Sequence, residues 1–147
     1  MLRARILLVE DDLAVGKVLA RQLEGDRHTV LRAASATEAI HFIEYSREAF
    51  DLAIVDAVLP APGSTAVAEA LRDAMPTLRV LVISALDENV VRRSSLVTTL
   101  EHEPRLRFLG KPFSLATFSA CVAELLAHPD EIIEIATGEW QARDHGG

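Results

Sequence analysis

Short apolar runs alternate along the chain with longer stretches whose apolar positions recur at helical spacing. The short runs are Ile6 to Val9, Thr29 to Ala33, Leu52 to Val55, Val80 to Ile83 and Arg107 to Leu109, and their brevity is that of strands buried on both faces. The longer stretches predict five helices. Asp12 is placed to cap the first, with Val15, Val18, Leu19 and Leu23 as one buried stripe and Gly25 at its end. Ser35 and Glu38 stand at capping-box spacing before Ala39, Ile40 and Ile43, which share a face. A third helix runs from about Ser64, turns Val67, Ala70 and Leu71 inward and stops before Pro76. The fourth opens at Asp87 and carries Val90, Val91, Val97 and Leu100 up to Pro104. Its serines and threonines at 94, 95, 98 and 99 lower its helix propensity. The fifth opens at Ser114, faces Leu115, Phe118, Val122, Leu125 and Leu126 inward, and is bounded by Pro129.

Strands that alternate with helices pair in parallel, with right-handed crossovers and helices on both faces. The expected architecture is therefore a doubly wound α/β fold around a five-stranded parallel sheet. Ligands of such sheets bind beyond the carboxyl ends of the strands, so any chemistry belongs to the residues that follow each strand. Residues 1–127 are enough for this domain. Residues 128–147 form a C-terminal extension, with Asp130 able to cap a short helix that would align Ile132, Ile135, Ala136 and Trp140 before a frayed end.

Composition narrows the partners. Half of the 147 residues are hydrophobic, enough for a core, and the net charge of -7 disfavours direct contact with nucleic acid. The N-terminal apolar run is too short for a signal peptide or a membrane span. The single cysteine, Cys121, has no disulfide partner within the chain, which suits a reducing cytoplasm. Neither Cys121 nor the histidines at 28, 41, 102, 128 and 145 show metal-ligand spacing.

The strand ends carry the chemistry. The first strand runs into Glu10, Asp11 and Asp12, the third into Asp56, the fourth into Ser84 and the fifth into Gly110-Lys111-Pro112. In the strand order 2-1-3-4-5, these four ends are contiguous and their polar groups meet. Three carboxylates at one point repel one another unless a cation sits among them, and a hard divalent ion, magnesium first, fits oxygen ligands. Lys111 adds an ammonium and Ser84 a hydroxyl, a set suited to holding a phosphoryl group, with Asp56 as nucleophile. Taken singly, each residue has a plainer role. Asp12 alone is best read as a helix cap, Ser84 as a core hydroxyl and Lys111 as a surface charge.

ILLVEDD, LAIVDAVLP, VLVISA and FLGKPF, in this order over residues 5 to 127, resemble the response-regulator receiver family of two-component signalling. The resemblance implies a flavodoxin-like receiver fold with sheet order 2-1-3-4-5. It also implies Mg2+ held by Glu10, Asp11, Asp56 and the backbone carbonyl of Val58, and a phosphoacceptor at Asp56. Ser84 would be the switch hydroxyl, Lys111 the ligand of the phosphoryl oxygens and Phe108 the switch aromatic, with a cis bond before Pro112. Phosphate would come from a histidine kinase or a histidine phosphotransfer protein, and the signal would pass to a downstream protein or to a second copy in a homodimer. The chain is then no classical enzyme but a cytoplasmic phosphoacceptor.

Two local departures from that family stand out. The Ala61-Pro62-Gly63 loop is one residue short, and Lys111 follows Ser84 by 27 positions, a few more than usual, so the fourth helix is expected to be atypical. Rival readings are weaker. An aspartate-nucleophile phosphohydrolase needs a second acid two residues on, where Val58 stands, and no glycine-rich nucleotide motif occurs. A receiver-like scaffold that binds proteins without phosphorylation is the remaining alternative.

Overall fold

The computed structural model describes residues 3–100 and 106–127. Five parallel strands, β1 (Arg5–Val9), β2 (Thr29–Ala33), β3 (Leu52–Asp56), β4 (Arg79–Ser84) and β5 (Leu106–Gly110), form one sheet in the order β2-β1-β3-β4-β5. The expected doubly wound architecture and strand order are both present. The C-terminal extension, with its expected short helix, and the fourth helix's expected stop at Pro104 lie outside the described residues.

Helices α1 (Leu13–Gly25) and α6 (Leu115–Ala127) cover one face of the sheet. Between them and the sheet lie Ile6, Leu8, Ile54, Leu81 and Phe118, all nearly inaccessible. The other face takes α2 (Ala36–Tyr45), α3 (Gly63–Ala74), α4 (Glu88–Arg92) and α5 (Ser95–Leu100), packed on Leu7, Val55, Val80 and Val82. The alternation of side chains along each strand divides the core into these two layers.

Helix starts follow the sequence where a side chain can cap them. The Asp12 carboxylate accepts from the amides of Ala14 and Val15, and the Ser35 hydroxyl accepts from Glu38 N. Glu38 reaches back past the cap and accepts from Ala34 N at 2.7 Å, in place of the Ser35 N–H of a strict capping box. Helix α1 ends at Gly25 as expected, but the left-handed residue of its closing turn is Arg27, with φ 75°. Helix α3 begins one residue early, at Gly63, whose φ of 89° suits glycine alone, and it has no side-chain cap.

Three apolar positions expected inside lie outside. Val18, Val90 and Leu115 are all exposed. In α1 the buried stripe is Gly16, Leu19, Ala20 and Leu23, which leaves Val18 one residue off the inward line. Val90 is displaced because the expected fourth helix is not continuous: it breaks at Arg93 and Ser94 into α4 and α5. Leu115 opens α6, whose first buried residue is Phe118.

Strand β5 also differs from its apolar reading, since Arg107 is wholly buried beside the Cys121 thiol. Burial pushes that thiol up to about 12 despite the nearby guanidinium, which makes Cys121 an inert packing residue. No helix among the described residues is long and apolar enough to cross a membrane.

Candidate functional site

The carboxyl ends of β1, β3, β4 and β5 converge because these strands are neighbours in the sheet. Glu10 directly follows β1, and Asp56 is the last residue of β3, so both project from rigid backbone. They are almost fully buried, whereas Asp11 is exposed at the mouth. Oxygen atoms of Glu10, Asp11 and Asp56 lie within 4.8 Å of one another.

Lys111 spans the pocket. Its Nζ donates to Glu10 Oε1 and to Asp56 Oδ2, each at 2.9 Å. Its backbone N–H donates to Ser84 O at 2.6 Å, which ties the turn after β5 to the end of β4. The Lys111-Pro112 bond is cis. The remaining carboxylate oxygens are met by backbone amides: Val58 N donates to Asp56 Oδ1 at 2.8 Å, and Asp12 N donates to Glu10 Oε2 at 3.2 Å. Behind Asp56, Ser64 Oγ donates to Ala57 O at 2.7 Å and pins the loop that carries Val58.

Electrostatics follow from this crowding. Burial, reinforced by the Asp56 carboxylate, raises the Glu10 pKa above its ordinary value, although Lys111 and the Asp12 amide act against the rise. For Lys111, burial opposes the charge, but the two carboxylates outweigh it, so its pKa is raised and the ammonium persists at neutral pH. The pocket thus holds concentrated negative charge bridged by one cation, with an exposed carboxylate at its mouth.

Ser84 closes β4, and Phe108 lies within β5. Ser84 is buried, and its Oγ accepts from Leu86 N at 2.8 Å. Phe108 is 6% exposed and already inside, packed with Val91, Leu96, Val97 and Leu100. The Arg92 guanidinium lies 4.9 Å from its ring centroid, and Glu88 holds Arg92 at 2.6 Å. Sequence reasoning missed this cover over the aromatic. Its one signal was the four-residue spacing of Glu88 and Arg92, a common helix-surface pair.

Residues 6–123 match the response regulator receiver domain. The chain belongs to that family. This receiver domain is 32% identical over 127 residues to the sensor kinase CckA of Brucella abortus (strain 2308), covering 86% of the chain and 13% of the kinase. It is also 32% identical over 129 residues to the response regulator MprA of Mycobacterium sp. (strain KMS), covering 86% of the chain and 53% of the regulator. The chain therefore spans about half of one relative and a small part of the other. Among solved structures, it resembles a CheY-like response regulator receiver domain protein from Methanospirillum hungatei JF-1. That match has 25% identity and a TM-score of 0.74, covering 88% of this chain and 98% of the other. The match is to a signalling module, the receiver domain of two-component response regulators.

Proposed function

We propose that this receiver domain accepts a phosphoryl group on Asp56 in a magnesium-dependent reaction and passes the signal to a protein partner. The observation that carries the reading is the convergence of Glu10, Asp11, Asp56 and Lys111 at the strand ends. The donor set fits a hard divalent ion: three carboxylates are close together, and one faces solvent. Glu10, Asp11, Asp56 and the Val58 carbonyl would hold it. When bound, the ion neutralises charge on the transferring phosphoryl oxygens.

The chain's own groups do the rest. An oxygen of Asp56 forms the new O–P bond as the donor's P–N bond breaks, and the electron pair leaves on the donor imidazole, which takes a proton from water. Val58 N and Lys111 Nζ already fix the two Asp56 oxygens, so the nucleophile is oriented before the donor arrives. In the phosphorylated state Lys111 turns its ammonium to a phosphoryl oxygen, and the Ser84 hydroxyl leaves Leu86 N to donate to another. Phe108 is already inside, so the response passes through the segment that covers it, α4 and α5, more than through the ring alone. The phosphodonor is a histidine kinase or a histidine phosphotransfer protein in the cytoplasm, and the receiver of the signal is a protein surface.

Intact-mass analysis with acetyl phosphate tests the assignment. The native chain should gain a phosphoryl adduct with magnesium and none with excess chelator, and Asp56→Asn should gain none. Undiminished labelling of Asp56→Asn would overturn the proposal.

A further inference from the structure

The three carboxylates of the proposed ion site are held differently. Both oxygens of Glu10 and of Asp56 are fixed, by Lys111 and by backbone amides. The Asp11 carboxylate has no hydrogen bond among the described residues, so its placement rests on the backbone around it. The end of β2 grips that backbone on both sides. On the strand side, Glu10 N donates to Ala33 O at 3.1 Å. On the helix side, Arg32 reaches from β2 to the first turn of α1, where its Nη2 donates to Leu13 O at 3.1 Å. Among the described residues that is the guanidinium's only hydrogen bond, and no carboxylate pairs with it. Gly16 makes room for the reach. The nearest atoms a Cβ would meet there all belong to Arg32, with Nη2 at 2.8 Å and Nε at 3.5 Å. A glycine inside a helix weakens it relative to alanine, and a cation beside the first turn opposes the helix dipole. Neither feature favours α1 itself; both serve the contact to Leu13, two residues beyond Asp11.

We propose that Arg32, seated on Gly16, is a positioning residue for the divalent ion: it fixes the first turn of α1 and so holds the Asp11 carboxylate within reach of Glu10 and Asp56. That role presupposes the reading of these three residues as the ion's ligands. Arg32 acts through the backbone, since a guanidinium has no lone pair to offer a metal. With the turn fixed beforehand, the ion meets a formed set of oxygens and does not have to order Asp11 on arrival.

Titration of the full chain with Mn2+ in place of Mg2+, with free ion read by electron paramagnetic resonance at about 0.15 M salt, tests the role. Arg32→Ala should weaken binding about fivefold, less than the roughly tenfold or more that follows loss of a ligand's direct partner. Gly16→Ala should weaken it to a similar degree by displacing the guanidinium, while its urea midpoint stays level or rises, because alanine favours the helix. The double variant should bind no more weakly than either single one. Arg21→Ala removes an equal charge from the exposed side of α1 and should leave the affinity within about twofold. In the metal-free protein, Arg32→Ala should speed exchange of the Ala14 and Val15 amides, which Asp12 caps. Unchanged affinity in either Arg32→Ala or Gly16→Ala would overturn the positioning role. So would additive losses in the double variant, a matching loss in Arg21→Ala, or losses that follow a falling urea midpoint. A native chain that binds no Mn2+ would overturn the ion site itself, and the role of Arg32 with it.

Discussion

Asp12 and Ser35 each close the first turn of a long helix with a side-chain oxygen, and α1 and α2 run 13 and 10 residues from those caps. Between Asp87 and Leu100 the chain makes the five-residue α4, breaks at Arg93 and Ser94 and starts α5 at Ser95. Interrupted helical turns of this kind do not persist on their own hydrogen bonds. They are held by tertiary contact: Val91, Leu96, Val97 and Leu100 in the core, and Arg92 over Phe108. Both regions sit against the same sheet, yet one is specified locally and the other by what it touches. A region held largely by packing changes arrangement more readily when a neighbour moves than one whose long helices are capped.

The largest expected difference between the two regions is in core deletion. Ile54 is fully buried at the centre of the sheet, and Ile54→Ala should cost about 4 kcal/mol, because rigid strands on both sides cannot close the void. Leu96→Ala, equally buried in α5, should cost about 2 kcal/mol, since the interrupted α4 and α5 segment can settle into the space. Urea denaturation at unchanged m-value gives both numbers. Equal losses would remove the distinction.

Helix capping should show a smaller contrast. Ser35→Ala deletes the oxygen that receives Glu38 N and should cost about 1 kcal/mol. Asp87→Ala deletes the acceptor for Asn89 N and should cost about half as much in global stability, while amide exchange in α4 accelerates. A global loss at Asp87 matching that at Ser35 would show that α4 is as integral to the folded unit as α2.

Much of this organisation was legible in the sequence. The five strands, the Ser35 cap and the acidic pair after β1 each rest on local chemistry that one short segment displays. Asp56, Ser84 and Lys111 could be proposed together because strand ends are fixed points and the sheet order makes their strands neighbours. What was not legible depends on distant partners. Val18 and Val90 have the composition of core residues, and only the orientation of their helices puts them outside. Arg107 sits in an apolar run and gave no sign of being buried. The Arg92 cover on Phe108 joins a helix to a strand sixteen positions away, and only the fold reveals it.

The smallest effect concerns the end of the sheet far from the switch. His28 Nδ1 accepts from Ala4 N at 3.0 Å, a bond that only the neutral ring can make. Burial lowers the His28 pKa below its ordinary value, although Asp26 and Asp51 pull it upward. The unfolded chain therefore binds this proton more readily. The stability it contributes is full above about pH 6.5 and is lost as pH falls through the lower folded value. Denaturation midpoints between about pH 7.5 and about pH 5.5 should fall less steeply for His28→Gln than for the native chain. Identical slopes would remove His28 from the account.

The central claim is that a phosphoryl group on Asp56 shifts the packing-held region and leaves the locally capped one in place. Backbone amide spectra of the full chain with magnesium, recorded with and without beryllofluoride as the phosphoryl mimic, test it most directly. Apart from the site residues themselves, the account predicts large shifts confined to Ser84, α4, α5 and β5, with α2 and the body of α1 unmoved, and no such shifts in Asp56→Asn. Shifts spread equally through α1 and α2, or none beyond the residues that touch the mimic, would contradict it.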